Sequence, residues 1–467
     1  MDSLGALIQR LPDGAVSTHP GELASRSRDQ WALALLREAR GERLPRPMAV
    51  VFAGSTEDVS TTLAWAVETG TSVVPRGGGS GVSGGAQASW RSVVLDLSRM
   101  NRVLSVDEES LAVEVQAGIH GDRLESHLGD VGLTLGHYPQ SLAISSVGGW
   151  LASTSAGQAS AGYGVIEDLV LGLTAVLPGG EVMRLRPTPR SAAGPDLRRL
   201  MVGSEGTLAV ITEAVLSASR APESMRWAAY APKDFRKGIA LSRTIIQGGV
   251  RPLVLRLYDE ADARLAMATS GHDDGPLLLL GFRGDDAAAF DVARERARSA
   301  RARKLPETLG EHWWEHRNDA VTLYRRVMGE ERMLGSGVVV DTMEVAGLWK
   351  GLSGLYESVR EALREHAAQP VGCHLSHPYR SGASLYFTFL IHAEDDEQAE
   401  RRYLECWSHA ARACHAAGGT ISHHHGVGLL KVPFLEEELG PAGLGALRAV
   451  KRALDPSGVL NPGKLLP

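Results

Sequence analysis

Cysteine is scarce in this sequence. Among 467 residues there are only Cys373, Cys406 and Cys414, all late in the chain and without metal-like spacing. A disulfide framework is thereby excluded, and a reducing compartment is implied. Long apolar runs are also missing: none approaches the ~20 residues that span a bilayer. A large charge excess is absent, and the net charge of −6 gives no reason to expect nucleic acid or an anionic membrane as partner. The start, "MDSLGALIQRLPDG", carries acid and arginine where a signal peptide would be apolar. A cytoplasmic protein with no membrane span is the expectation. No repeat of fixed period is present. With 43% hydrophobic and 22% charged residues the composition is that of a globular protein, and 467 residues exceed what one core usually serves.

Glycine, by contrast, is abundant, and it is concentrated. The run "VVPRGGGSGVSGGA", Val73 to Ala86, follows a strand–helix–strand pattern in "AVVFAGSTEDVSTTLAWAVETGTSVVP", whose "STED" is a capping box. Glycine costs conformational entropy, so a dense run between apolar segments needs a reason. Close backbone approach to an anion, with several N–H groups aimed at it, is one. The run lacks the Walker lysine, and its compatible G-x-G-x-x-G spacings are weak evidence alone. Two more glycine-rich passages follow, "SSVGGWLASTSAGQASAGYGVIEDLV" and "VGSEGTLAVITEAVLSA". Three separated loops suit a large cofactor lying along them. From about residue 220 amphipathic helices ("AAAFDVARERARSARAR") alternate with strands ("GPLLLLGFRG", "SLYFTFLIHA"), which predicts a second α+β domain.

Four ordered motifs, "PRGGGSG", "SSVGGWLASTSAGQASAGYG", "IEDLV" and "GSEGTLAVIT", resemble the FAD-binding domain of the vanillyl-alcohol oxidase superfamily. The resemblance implies an α+β, two-domain flavoprotein: a PCMH-type FAD-binding domain and an α+β substrate-binding cap. The expected division is a helical segment over 1–45, the FAD-binding domain over 46–218, the cap over 219–425, and a C-terminal segment over 426–467 that returns to the FAD domain. It places the FAD pyrophosphate on Pro75, Arg76, Gly77, Gly78, Gly79, Ser80 and Gly81. Ser145, Gly148, Gly149, Ser153 and Gly157 are expected along the cofactor, with Glu205, Gly206 and Val210 in a third contact. Some relatives link FAD to a histidine near the end of the first loop. Ser80 stands there, so non-covalent FAD is expected.

For chemistry the candidate is "GGTISHHHGVGLL", holding His423, His424 and His425. Histidine has the unperturbed pKa best suited to proton transfer near neutrality. If the segment is extended, His423 and His425 share one face and His424 points away. "ISHHHGVG" also resembles the alkylglycerone-phosphate synthase branch. That branch implies catalytic roles for Tyr386 in "SGASLYF", Arg256 in "VLRLYDE" and Arg325, with Arg326 as the alternative. The rival branch, the D-2-hydroxyacid dehydrogenases, carries metal ligands in "H-x-G-D-G-N-x-H" and "E-H-G-x-G". Here Tyr386 replaces the second histidine and His424 the glutamate, so no metal is expected, although His374 and His377 lie near. The tail "DPSGVLNPGKLLP" looks more like that rival branch. Two activities on a small-molecule substrate follow. One is synthase-like exchange at a carbon next to a ketone, through flavin N5. The other is FAD-dependent oxidation of a hydroxylated small molecule of 2-hydroxy-acid type. A non-catalytic flavin-binding protein would not need the Tyr386, Arg256 and histidine set. A homodimer stays open.

Overall fold

The computed structural model describes residues 3–273, 275–329, 331–366 and 368–466. After the short helices Ser3–Arg10, Pro20–Ser25 and Ala32–Ala39, the first half runs through strand Ala49–Phe52, helix Thr56–Thr69 and strand Val73–Arg76. Ser55 caps that helix by accepting from the Asp58 N–H, and the Asp58 carboxylate answers from Gly54 N, as the "STED" pattern implies. The two strands are parallel but not neighbours, because Val93–Asp96 lies between them. A second, antiparallel sheet follows in the order 103–107, 112–116, 210–217, 170–176, 182–185. Close to the end of the chain, Leu460 pairs with Val73, so the C-terminal segment returns to the first sheet.

In the second half a seven-stranded antiparallel sheet has the order 303–305, 225–231, 277–283, 254–258, 368–376, 382–392, 338–348. Helices Phe235–Gln247, Leu352–His366 and Asp396–Ala416 cover one face, where Leu257, Cys373, Leu375, Leu385, Phe387, Phe389, Met343 and Val345 join a single large core. The opposite face of the same strands is what the site uses. Period-2 alternation drives this: in "GASLYFTFLIH" Leu385, Phe387, Phe389 and Ile391 are buried, while Tyr386, Thr388 and Leu390 are partly open. No helix among the described residues is long and apolar enough to cross a membrane.

Candidate active site

Between the glycine loops of the first half and the seven-stranded sheet of the second lies a cavity of about 930 Å³. Its floor is the three glycine loops. Pro75, Arg76, Gly77, Gly78, Gly79, Ser80 and Gly81 line it, as do Ser145, Gly148, Gly149, Ser153, Glu205, Gly206 and Val210. The glycines are needed first by one another. A Cβ on Gly77 would sit 2.1 Å from Ser146 Oγ, one on Gly78 2.0 Å from the Ile144 carbonyl oxygen, and one on Gly206, at φ +66°, 3.0 Å from Pro75. Absent side chains thus let the loops interlock. None of the N–H groups of Gly77, Gly78, Gly79, Ser80, Gly81 and Val82 donates to a protein acceptor among the described residues. Six consecutive unpaired donors facing a cavity fit a pyrophosphate. Gly157 is different: it is not on the cavity wall, and its lack of a side chain is explained by the Tyr138 N–H group, whose nitrogen a Cβ would approach to 2.6 Å.

Gly78→Val should therefore abolish FAD retention, through collision with Ile144 as much as through blocked approach of the cofactor. The flavin-to-protein absorbance ratio of the purified variant reads this directly. A folded Gly78→Val protein with full flavin would contradict the cradle.

Opposite the cradle stands a row of side chains set by strand register. Tyr258 pairs with His374, His374 with Tyr386, and Tyr386 with Glu344. Directly opposed residues share a face, so these four form one rung across four strands. The His374 and Tyr386 rings stack at 4.8 Å, and the Tyr386 hydroxyl donates to Thr342 Oγ1 at 3.0 Å. Arg256, two residues before Tyr258 and only 4% exposed, shares a hydrogen bond of 2.9 Å with His374 Nε2 and forms no carboxylate ion pair among the described residues. Asp262 holds the other nitrogen of His374 at 2.7 Å. Arg325 also lies on the cavity wall, while Arg326 pairs with Glu331 at 2.9 Å.

The histidine segment closes the cavity, but not as an extended strand. Residues 421–428 form a turning loop, so alternation does not apply. His424 and His425 line the cavity, and His424 stacks on Tyr386 at 5.8 Å. His423 is off the cavity wall, sharing a hydrogen bond with the Tyr379 hydroxyl at 2.8 Å. The expected pairing of His423 with His425 on one face is corrected accordingly. Burial holds His424 well below the ordinary imidazole range, with the charge of His425 adding to it, and takes His423 to about 4. Both are neutral proton acceptors near pH 7. Burial, and then the nearby Glu344 and Asp341 carboxylates, outweigh the Thr342 contact and push the Tyr386 phenol up. Tyr386 therefore keeps its proton until a neighbour takes it. No group of three or more histidine, cysteine, aspartate or glutamate side chains among the described residues is set out to hold a metal ion.

Glu344 is a functional candidate that motif reading passed over. It is fully buried; its carboxylate lies 3.0 Å from His425 Nδ1 and 2.7 Å from Lys431 Nζ, and it accepts from His425 N at 3.0 Å. Burial raises its pKa, but the charges of His425 and Lys431 reverse this and hold it well below the usual range. The signal in the sequence was slight: only Thr342 to Val345 of "VVVDTMEV" alternate, and there Glu344 has the parity of Thr342.

Residues 221–465 match the family described as FAD linked oxidases, C-terminal domain, and residues 47–186 match FAD binding domain. This chain is an FAD-linked oxidase family member. Its cofactor is FAD, and it is an enzyme of the FAD-linked oxidoreductase class. "Uncharacterized FAD-linked oxidoreductase YgcU" of Escherichia coli O157:H7 is 34% identical over 441 residues, 91% of this chain and 90% of that protein. Alkyldihydroxyacetonephosphate synthase of Trypanosoma brucei brucei, another name for alkylglycerone-phosphate synthase, is 31% identical over 478 residues, 94% of this chain and 76% of its own length. A solved alkyldihydroxyacetonephosphate synthase structure superposes with a TM-score of 0.83 at 26% identity, covering 99% of this chain and 86% of that one. The two-domain architecture expected from the four glycine-loop motifs is the architecture of this family.

Proposed function

We propose that this enzyme acts on a small molecule at a carbon next to a ketone or hydroxyl, in a synthase-like exchange. The observation that carries the reading is the Arg256–His374–Tyr386–His424 wall facing the unpaired N–H cradle across one cavity. Residues 75–81 would hold FAD non-covalently, since Ser80 offers no linking side chain, and the flavin N5 would supply the reactive centre for exchange at that carbon. The chain's own residues do the rest. Arg256, which pairs with no carboxylate among the described residues, offers its charge to an oxygen or an anionic group of the substrate. Tyr386, a phenol that burial keeps protonated, hands its proton to a substrate oxygen and recovers it later; neutral His424, stacked on the phenol ring, is the acceptor next to it. His425, fixed through Nδ1 by Glu344, presents its other nitrogen. Likeness to the synthases over nine-tenths of the chain supports exchange, while a D-lactate dehydrogenase of Arabidopsis thaliana, 30% identical over 90% of the chain, supports net oxidation as the second reading.

A substrate panel offered to the FAD-loaded enzyme under argon tests this. Exchange of the leaving group for an added alcohol or labelled carboxylate, without lasting flavin bleaching, is the expected outcome. Stoichiometric bleaching by a 2-hydroxy acid would instead make it a dehydrogenase or oxidase working with the same wall.

A further inference from the structure

Glu205, in the third glycine-loop motif, does more than line the cavity. Glu205 sits at φ +51°, an unfavourable conformation for a residue with a side chain. It is pinned on both sides, its N–H to the Ala152 carbonyl at 2.9 Å and its carbonyl to Asn461 Nδ2 at 2.7 Å. This aims its carboxylate at the segment just after the histidine triple, where Oε1 accepts from Val427 N at 2.5 Å and Oε2 from Gly428 N at 2.7 Å. The two donors directly follow the histidine triple and Gly426. Gly426 allows the approach: at φ +75°, a Cβ there would lie 3.0 Å from the Glu205 carboxylate. A second tether runs from the first glycine loop, whose Ser83 carbonyl accepts from Leu429 N at 2.8 Å and Leu430 N at 3.1 Å. The histidine loop is thus bolted to the cofactor-binding loops from its C-terminal side.

We propose that Glu205 is a positioning residue that sets His424 and His425 in register with the flavin cradle. This rests on the reading of those histidines as the proton-handling groups, but its test does not need a substrate. The mechanism is geometric. Two acceptor oxygens on one rigid side chain fix two successive peptide planes; burial, opposed by these same two N–H donors, lifts the Glu205 carboxyl to about 7, so the clamp is complete above that pH, where both oxygens are charged acceptors. A glutamine at 205 keeps one acceptor and turns a donor toward the other N–H.

Hydrogen exchange on the FAD-loaded protein, wild type against Glu205→Gln, decides it. With Glu205→Gln, FAD stoichiometry should stay near one per chain. Peptides covering 421–431 should exchange at least about tenfold faster, while those covering 73–82 and 145–153 stay unchanged. The visible circular dichroism of the bound flavin should change as the imidazoles lose register. Loss of FAD from the variant would make Glu205 a cofactor contact and overturn the proposal, as would unchanged exchange over 421–431 or a uniform rise along the whole chain. Should the variant fail to fold, the wild-type holoprotein still answers. Val427 and Gly428 must be among the slowest amides of 421–431, and exchange at the unprotected rate would refute the clamp.

Discussion

Replacing Tyr386 with Phe should lower turnover by about a hundredfold or more, the usual scale for loss of a positioned acid–base group, and leave FAD content near normal. The ring stays, so its stacking on His374 at 4.8 Å and on His424 at 5.8 Å persists, and only the hydroxyl and its contact to Thr342 are lost. His424→Ala should fall by a similar factor, because the turning loop puts this imidazole on the cavity wall beside the phenol. His423→Ala should cost less, since its ring lies off the cavity wall and acts only through His424, to whose Nδ1 it is bonded at 2.9 Å, and through the Tyr379 hydroxyl. The Tyr386→Phe, His424→Ala double variant should be little worse than either single, because groups that move one proton together are not additive. Turnover is measured on whichever substrate the argon panel identifies, each variant corrected for bound flavin. Near-normal turnover of Tyr386→Phe would remove the phenol from the chemistry.

Much of this arrangement could be read from the chain. Local rules suffice for the capped helix after Ser55, because cap, acid and apolar period lie within a few residues. The glycine loops were legible as cradles, although their glycines are demanded by Ser146, Ile144 and Pro75 as much as by any ligand, and no single-sequence argument reveals such loop-to-loop contacts. Tyr386 and Arg256 came from likeness to a family; the strands themselves would have found them. Arg256 and Tyr258, His374 and Ser376, Ser384 and Tyr386, and Thr342 and Glu344 are each spaced by two, but which of these pairs meet on one rung depends on a strand order set by distant pairings. That non-local register hid Glu344 and Tyr258. The error at His423 has a plainer cause. An alternation argument presupposes a strand, and "HHHGVG" carries two glycines of positive φ, Gly426 and Gly428, that turn the chain instead.

Glu344 is also where the largest stability effect should appear. Lys431 is 1% exposed and Glu344 0%, so the pair is removed from water, and breaking such a pair leaves an uncompensated charge. Glu344→Gln should destabilise the protein by about 3–5 kcal/mol, the range for removing one partner of a buried pair. It should show as a lowered midpoint in denaturant, measured with FAD present. The pH dependence fixes the sign. The folded protein holds the Glu344 carboxyl well below its ordinary value, so its stabilising contribution is complete above about pH 4.3 and is lost as pH falls toward the depressed value. The gap between wild type and Glu344→Gln should thus be full at neutral pH and narrow in acid. Adding Lys431→Met to Glu344→Gln removes the stranded ammonium and should recover part of the lost stability, since no uncompensated charge is then left buried. Turnover should not recover with it. His425 would still lack the carboxylate at its Nδ1, so the double variant separates the part Glu344 plays in the fold from its hold on the imidazole. If stability and turnover return together, Glu344 serves only to balance Lys431, and His425 needs no anchor.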